Sequence, residues 1–249
     1  MWRSKSIKRK SKKKTSLKRQ LLFWGLKVVT VIFLLSLLPV AIYKYVNPPT
    51  TPLMWIRWME NEKFSPSPID LERWVPLSNI SENLIKAVVV AEDGNFFRHS
   101  GFDWGALGNA FLHNLSSSGK LGASTITMQT ARNAFLWQSR TWFRKILEAY
   151  YTVLIETFWD KGRILEVYLN IIEWGDGIFG CSKATQFYFS KPVKSLDVES
   201  SAWLASILPN PRVWSKVSFA RKIIKSNKRI IKGIKVVKIP LSISMSVSK

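Results

Sequence analysis

Cysteine occurs once in this chain, at Cys181, so no internal disulfide can form. A single thiol neither requires nor excludes an oxidising compartment. Histidine occurs twice, at His99 and His113, too few and too far apart for a structural zinc site. Acidic residues are missing from both ends: residues 1–44 carry twelve Lys and Arg, residues 212–249 carry eleven, and neither stretch has an Asp or Glu. The net charge of +22 is therefore terminal, because the interior holds fifteen basic residues against all sixteen acidic ones. A nucleic-acid-binding domain carries its positive surface on its folded part, so the class of partner excluded first is nucleic acid. Basic ends flanking an apolar segment fit an anionic membrane surface better. Period-2 alternation and internal repeats are also lacking, which argues against a sheet-built domain.

One long apolar run is present. Leu21–Val46 is interrupted by charge only at Lys27 and Lys44, and Val28–Tyr43 has none. Sixteen residues rising about 1.5 Å each reach ~24 Å, short of a hydrocarbon core of ~30 Å, and Leu21–Leu26 complete the span. Lys27 can extend its ammonium toward the headgroups. A cleaved signal peptide is the rival reading, but the run is longer than a usual signal core and no small-x-small pair precedes a cut. The basic tract between Arg3 and Arg19 then stays cytoplasmic and everything after Val46 is sent outward. Asn47-Pro-Pro-Thr-Thr-Pro52 reads as a stiff extended spacer.

Beyond the spacer the signals are helical. Ser81 is placed to cap a helix that ends at Glu92 and Asp93. Trp104, Leu107, Phe111, Leu112 and Leu115 recur at helical spacing, and Ser116-Ser-Ser-Gly119 reads as a loop. Ser124 is expected to cap a helix running to about Leu136. Trp142–Trp159 is periodic, with Phe143, Ile146, Leu147, Tyr150, Leu154 and Phe158 as its expected apolar face. Arg163–Asn170 and Asp197–Leu208 complete the set, the latter stopped by Pro209. The organisation that follows is a basic tail at 1–20, a transmembrane helix at 21–46, a linker at 47–76, a mainly α domain at 77–211 and a basic tail at 212–249.

Three polar clusters carry chemistry. Glu92-Asp93 heads a stretch rich in Gly and aromatics that runs through Phe96 and His99 to Asp103, where desolvation can raise a carboxyl toward a working general base. Solvated residues leaving a helix are the plainer reading. In Gly122–Asn133, Thr125, Met128, Gln129 and Arg132 share one helical face, and a capped helix start with an Arg suits an oxygen-rich anion such as a diphosphate. A solvated polar face explains the same pattern. Arg144 and Lys145 both reach Glu148 at helical spacing, which is otherwise an ordinary surface ion pair.

In this order the clusters resemble the peptidoglycan glycosyltransferases (family 51), which include monofunctional transglycosylases and the N-terminal domains of bifunctional penicillin-binding proteins. Glu92, Asp93, Phe96, His99, Gly101 and Asp103 match a first motif; Gly122 to Gln129 a second; Arg144, Lys145 and Glu148 a third. Ile164–Asn170 with Gly175, Gly177 and Gly180 is similar to a fourth, and Ala184, Tyr188-Phe189, Glu199, Ala202 and Leu208-Pro-Asn-Pro211 to a fifth. The resemblance covers about Leu77–Pro211. It implies a lysozyme-like domain with a small membrane-proximal jaw, and the apolar stripe of Trp104–Leu115 suits that jaw or an ordinary core.

The resemblance further implies lipid II and the growing glycan strand as substrates. Glu92 would be the general base and Glu148 a second catalytic acid among the cations. Asp93, Phe96, His99, Ser124, Thr125, Gln129, Arg132, Asn133, Arg144 and Lys145 would contact substrate. No cofactor is required and no metal ligand is assigned, with a divalent cation (Mg or Mn) near the donor diphosphate left open. Other implied partners are membrane lipids, cell-wall synthases and division or elongation proteins, at the cytoplasmic membrane. Two positions depart from many relatives: Met128 stands for a Gln and Arg132 for a Lys, keeping the charge but changing its geometry. Ser117-x-x-Lys120 has no Lys-Thr-Gly partner, so no transpeptidase is expected. A lysozyme-like lytic enzyme and a catalytically silent membrane scaffold are the competing functions.

Overall fold

The computed structural model describes residues 17–60, 69, 74–116, 122–216, 221–241 and 243. Most of the basic N-terminal tract, the Ser117–Gly119 part of the expected loop and the Ser117-x-x-Lys120 pattern fall outside them. The chain divides into a first unit, residues 1–41, and a second, residues 42–249.

The first unit consists of helix α1, which runs Leu17–Tyr43 and ends just inside the second unit. It is long and apolar enough to cross a membrane. Two of its polar side chains bond within the helix: Thr30 Oγ1 donates to the Leu26 carbonyl at 2.9 Å and Ser36 Oγ to that of Phe33 at 2.6 Å. Lys27 folds its ammonium back over the rings of Phe23 and Trp24, toward the N-terminal end.

Among its described residues, the regular structure of the second unit is helical apart from one hairpin. Helix α2 (Pro52–Glu60) begins where the sequence reads as spacer. Proline is well placed in a first turn, and the Thr51 hydroxyl accepts from Met54 N. Then follow α3 (Glu82–Glu92), α4 (Trp104–Ser116), α5 (Ile126–Phe135), α6 (Trp142–Phe158), α7 (Lys161–Ile171), the antiparallel pair β1 (Glu173–Gly175) and β2 (Ile178–Phe179), α8 (Cys181–Phe189), α9 (Val198–Ile207), α10 (Pro211–Trp214) and α11 (Arg221–Ile234).

Two helix clusters build the core. In one, α3 packs on α9 and α11. Helix α3 buries Leu84, Ile85, Ala87, Val88 and Val89, and α9 meets it with small and apolar residues, Ser201, Ala202, Leu204, Ala205 and Ile207. In the other, α5 packs between α6 and α7, with α2 against its far side. Helix α7 is buried through Ile164, Leu165, Val167, Tyr168, Leu169, Asn170 and Ile171. The clusters join where the end of α3 meets the start of α5, and the candidate site forms there.

Three sequence expectations change on folding. Helix α5 is capped by Thr125, whose hydroxyl accepts from Met128 N at 3.2 Å, and not by Ser124. On α6 the buried row is Arg144, Glu148, Thr152 and Ile155, at helical spacing. Phe143, Ile146 and Phe158 lie exposed instead of forming a buried apolar face. The polar residues of the inner row are satisfied there by hydrogen bonds: Glu148 by Arg144 and Lys145, and Thr152 Oγ1 by the Glu148 carbonyl. The stretch read as a basic tail contains α11, whose Ile223, Ile230 and Ile234 are buried on one face. Each such burial contributes roughly 1.5–3 kcal/mol, enough to hold a lysine-rich helix onto the domain. Its isoleucines recur at helical spacing with lysines between them, so the amphipathic period of this segment is present in the sequence.

Candidate active site

Glu92 is the last residue of α3. Its Oε2 accepts a hydrogen bond from Gln129 Nε2 at 2.8 Å, and Gln129 Oε1 accepts from the Tyr168 hydroxyl at 3.2 Å. Tyr168 is almost wholly buried. Burial raises the Glu92 carboxyl above the ordinary carboxylate range; the Gln129 bond and the charges of Arg132 and Arg229 oppose that rise, and Asp93 adds to it. A carboxyl so placed, with a neutral amide as its partner, has the character of a proton acceptor at a working pH.

Asp93 serves a different purpose. It contacts His99 Nε2 at 2.9 Å through Oδ1, and its Oδ2 accepts from Ile126 N at 3.0 Å, at the first turn of α5. A carboxylate there satisfies an otherwise unpartnered amide and meets the positive end of the helix. Desolvation pushes its pKa up, while the His99 and Ile126 hydrogen bonds pull it down. Thr125 Oγ1 donates to the Gly101 carbonyl at 2.6 Å. Gly101 itself has φ +90°, and a Cβ there would lie 2.7 Å from Thr152 Cγ2, so only glycine lets this loop rest on α6. Phe96 is fully buried with the Lys161 ammonium 4.4 Å from its ring centroid. Phe96 thus has no surface to offer a substrate, and Asp93, Thr125 and most of His99 are likewise internal. The structure gives these four expected contacts a place behind Glu92, fastening α3, the loop and α5 together.

The second acid is held in the opposite way. Glu148 is fully buried on α6, and one carboxylate oxygen accepts from Arg144 Nη1 while the other accepts from Lys145 Nζ. Arg144 Nε also donates to the Ser139 carbonyl, and Lys145 Nζ lies 3.4 Å from Ser124 Oγ. Ser124 lies just before α5 and Gln129 in its first turns, so this one segment bonds Glu92 directly and meets Lys145, the partner of Glu148, through its side chains. Five expected site residues are brought together on it: Ser124, Thr125, Gln129, Arg132 and Asn133.

Beside Gln129 opens a cavity of about 190 Å³, whose lining includes Arg57, Arg132, Asn133, Gln138, Tyr168 and Glu173. Arg132 Nε is buried there without a hydrogen-bond partner. Arg57 is fixed by Glu173, with Nε 3.2 Å from both carboxylate oxygens. Sequence reasoning missed Arg57, Tyr168 and Glu173. Tyr168 lies in the Ile164–Asn170 motif and was within reach of a reader asking what the motif's polar atoms do. Arg57 and Glu173 are 116 residues apart and carried no signal. Among the described residues no group of three or more His, Cys, Asp or Glu is placed to hold a metal ion. Both oxygens of Glu148 already face cationic side chains.

The chain is similar to known proteins along most of its length. The family described as Transglycosylase matches residues 65–235. The chain is 48% identical over 192 residues to the biosynthetic peptidoglycan transglycosylase of Rhodospirillum centenum, covering 76% of this chain and 81% of the relative. It is 47% identical over 192 residues to that of Bdellovibrio bacteriovorus, 76% of each chain. With that of Caulobacter vibrioides it shares 44% over 194 residues, 78% of this chain and 82% of the relative.

Proposed function

This chain belongs to the transglycosylase family and is a peptidoglycan glycosyltransferase, and on that premise we propose how its two acids divide the reaction. Its substrates are lipid II and the growing glycan strand. The 4-hydroxyl of the acceptor sugar attacks the anomeric carbon of the growing chain. The bond from that carbon to the diphosphate breaks with inversion, and undecaprenyl diphosphate leaves. Glu92 takes the hydroxyl proton. Arg144 and Lys145, oriented by Glu148, meet the charge that develops on the departing diphosphate. Arg132, Ser124, Gln129 and Asn133 line the way between and contact the donor. The reading needs no cofactor, and no step is routed through a divalent cation.

The observation that carries this reading is the setting of Glu92: a desolvated carboxyl at a helix end with an uncharged hydrogen-bond partner. Detergent-solubilised protein incubated with purified lipid II, beside Glu92→Gln, tests it. Polymer from the wild type alone is expected. Polymer from both would remove Glu92 from the role of base, and polymer from neither would favour the scaffold reading.

The anchor reading has the same status. Helix α1 crosses the cytoplasmic membrane with the basic tract inside, and the domain works on the outer side. The exposed face of α4, with Trp104 at 75% exposure and Phe111, Leu112 and Leu115 beside it, forms a jaw that dips into the headgroup region. Contacts with cell-wall synthases and with division or elongation proteins belong to this proposal. Protease accessibility in spheroplasts checks the orientation: the domain is cut from outside if it is right and protected if it is reversed.

A further inference from the structure

Helix α11 carries most of the charge of the C-terminal stretch, and one of its side chains reaches the turn that bears Glu92. Arg229 and Gly233 are four residues apart and so lie on one face of the helix. A Cβ at Gly233 would sit 2.4 Å from Val90 Cγ1, so glycine brings the α11 backbone directly onto α3. One turn away, Arg229 Nη2 donates to the Ala91 carbonyl at 3.4 Å. That carbonyl is one of the last four of α3, which have no partner inside the helix. Val90 and Ala91 immediately precede Glu92.

We propose that Arg229 is a positioning residue for Glu92: it caps the C-terminal turn of α3 at the Ala91 carbonyl and places a positive charge beside the base. The proposal rests on the reading of Glu92 as general base and adds a residue that none of the five motifs contains. A cation at a helix C-terminus is favourable in its own right. Here it also favours the carboxylate that must accept the proton.

The other groups facing Glu92 are few. Asp93 follows it on the chain and repels its charge. From α5 come Gln129 and Arg132, and from α7 the Tyr168 hydroxyl. Helix α9 meets α3 with Ser201, Ala202, Leu204, Ala205 and Ile207, none of them ionisable. Among the described residues, Arg132 and Arg229 are the charges that oppose the desolvation of Glu92, one from α5 and one from α11. Arg229 is exposed, so solvent screens its contribution.

The test is the pH profile of kcat/KM for lipid II polymerisation by full-length protein. Wild type is compared with Arg229→Gln, Arg229→Lys, Glu92→Gln and Lys225→Gln, the last removing an exposed charge elsewhere on the same helix. With its positive neighbour gone, Glu92 binds its proton more tightly. The acid limb of Arg229→Gln is therefore expected to move to higher pH by roughly 0.3–1 unit. Arg229→Lys should restore most of that shift, and Lys225→Gln should leave the limb in place. A rate loss equal at every pH would reduce Arg229 to a helix cap and overturn the proposal. So would an equal shift in Lys225→Gln, which would mark a general charge effect. Full activity of Glu92→Gln would overturn the base reading, and this one with it. Loss there beside an unmoved limb in Arg229→Gln would overturn the role of Arg229 alone.

Discussion

Glu92 and Glu148 are the same residue type, one at the end of α3 and the other on α6, yet their surroundings differ in the charge they meet. Glu92 meets an amide and a tyrosine-linked network, with cations acting only through space. Glu148 is gripped by two cationic side chains, one on each oxygen. The first can take a proton, because burial without direct ion pairing makes its charged form costly. The second is held by its two cationic neighbours and fixes their positions. On the proposed reading, these opposite environments give one carboxyl the setting of a base and the other that of an electrostatic clamp.

The comparison breaks most easily at Glu92. Glu92→Gln should lower polymerisation by about 10²–10⁴-fold, the usual contribution of a positioned base, measured as glycan formed from lipid II. The same variant should melt no lower than wild type at neutral pH. A carboxyl whose folded-state pKa is raised weakens the fold once the pH exceeds its unfolded value, and glutamine removes that cost. Glu148→Gln should do the reverse. It leaves the buried Arg144 guanidinium unpaired, for a loss of about 3–5 kcal/mol seen in chemical denaturation. The half-exposed Lys145 arm contributes less of this. Equal melting behaviour of the two variants would erase the distinction.

Smaller effects sharpen it. Gln129→Leu removes the N–H that favours the ionised form of Glu92, so the acid limb of kcat/KM should rise by about one pH unit. A limb that stays put would mean that the amide only packs. The smallest effect is expected at the surface. Trp104→Ser and Trp142→Ser remove rings that are 75% and 86% exposed, and each should change folding stability by no more than about 0.5 kcal/mol. In nanodiscs containing brominated lipid, Trp104→Ser should nonetheless lose part of the tryptophan quenching. Unchanged quenching would detach the α4 face from the membrane.

Much of the fold could be read in advance where periodicity and caps agree. Asp160 and Asp197 cap α7 and α9 by accepting from Arg163 N and Ser200 N, close to the expected starts. Reading failed where a polar side chain had two plausible uses. Ser124 looked like a helix cap, but its hydroxyl faces Lys145, and Thr125 caps instead. The face of α6 inverted for a related reason. Helical period says which residues share a side but not which side faces inward, and here the inner side holds Arg144 and Glu148. The β1–β2 hairpin and α8 are too short to leave a periodic signal.

By itself the sequence determined the long apolar N-terminal helix, the mainly helical domain and the polar clusters proposed to carry the chemistry, because each depends on composition or on spacing within one segment. Only the tertiary structure decided which carboxyl is free and which is clamped. It also decided that Phe96 and Asp93 stand behind the site, and that a lysine-rich C-terminal stretch closes against α3. Those outcomes depend on burial and on charges brought together from distant segments. A pKa or an ion pair is a property of such a neighbourhood, and the neighbourhood exists only once the helices have packed.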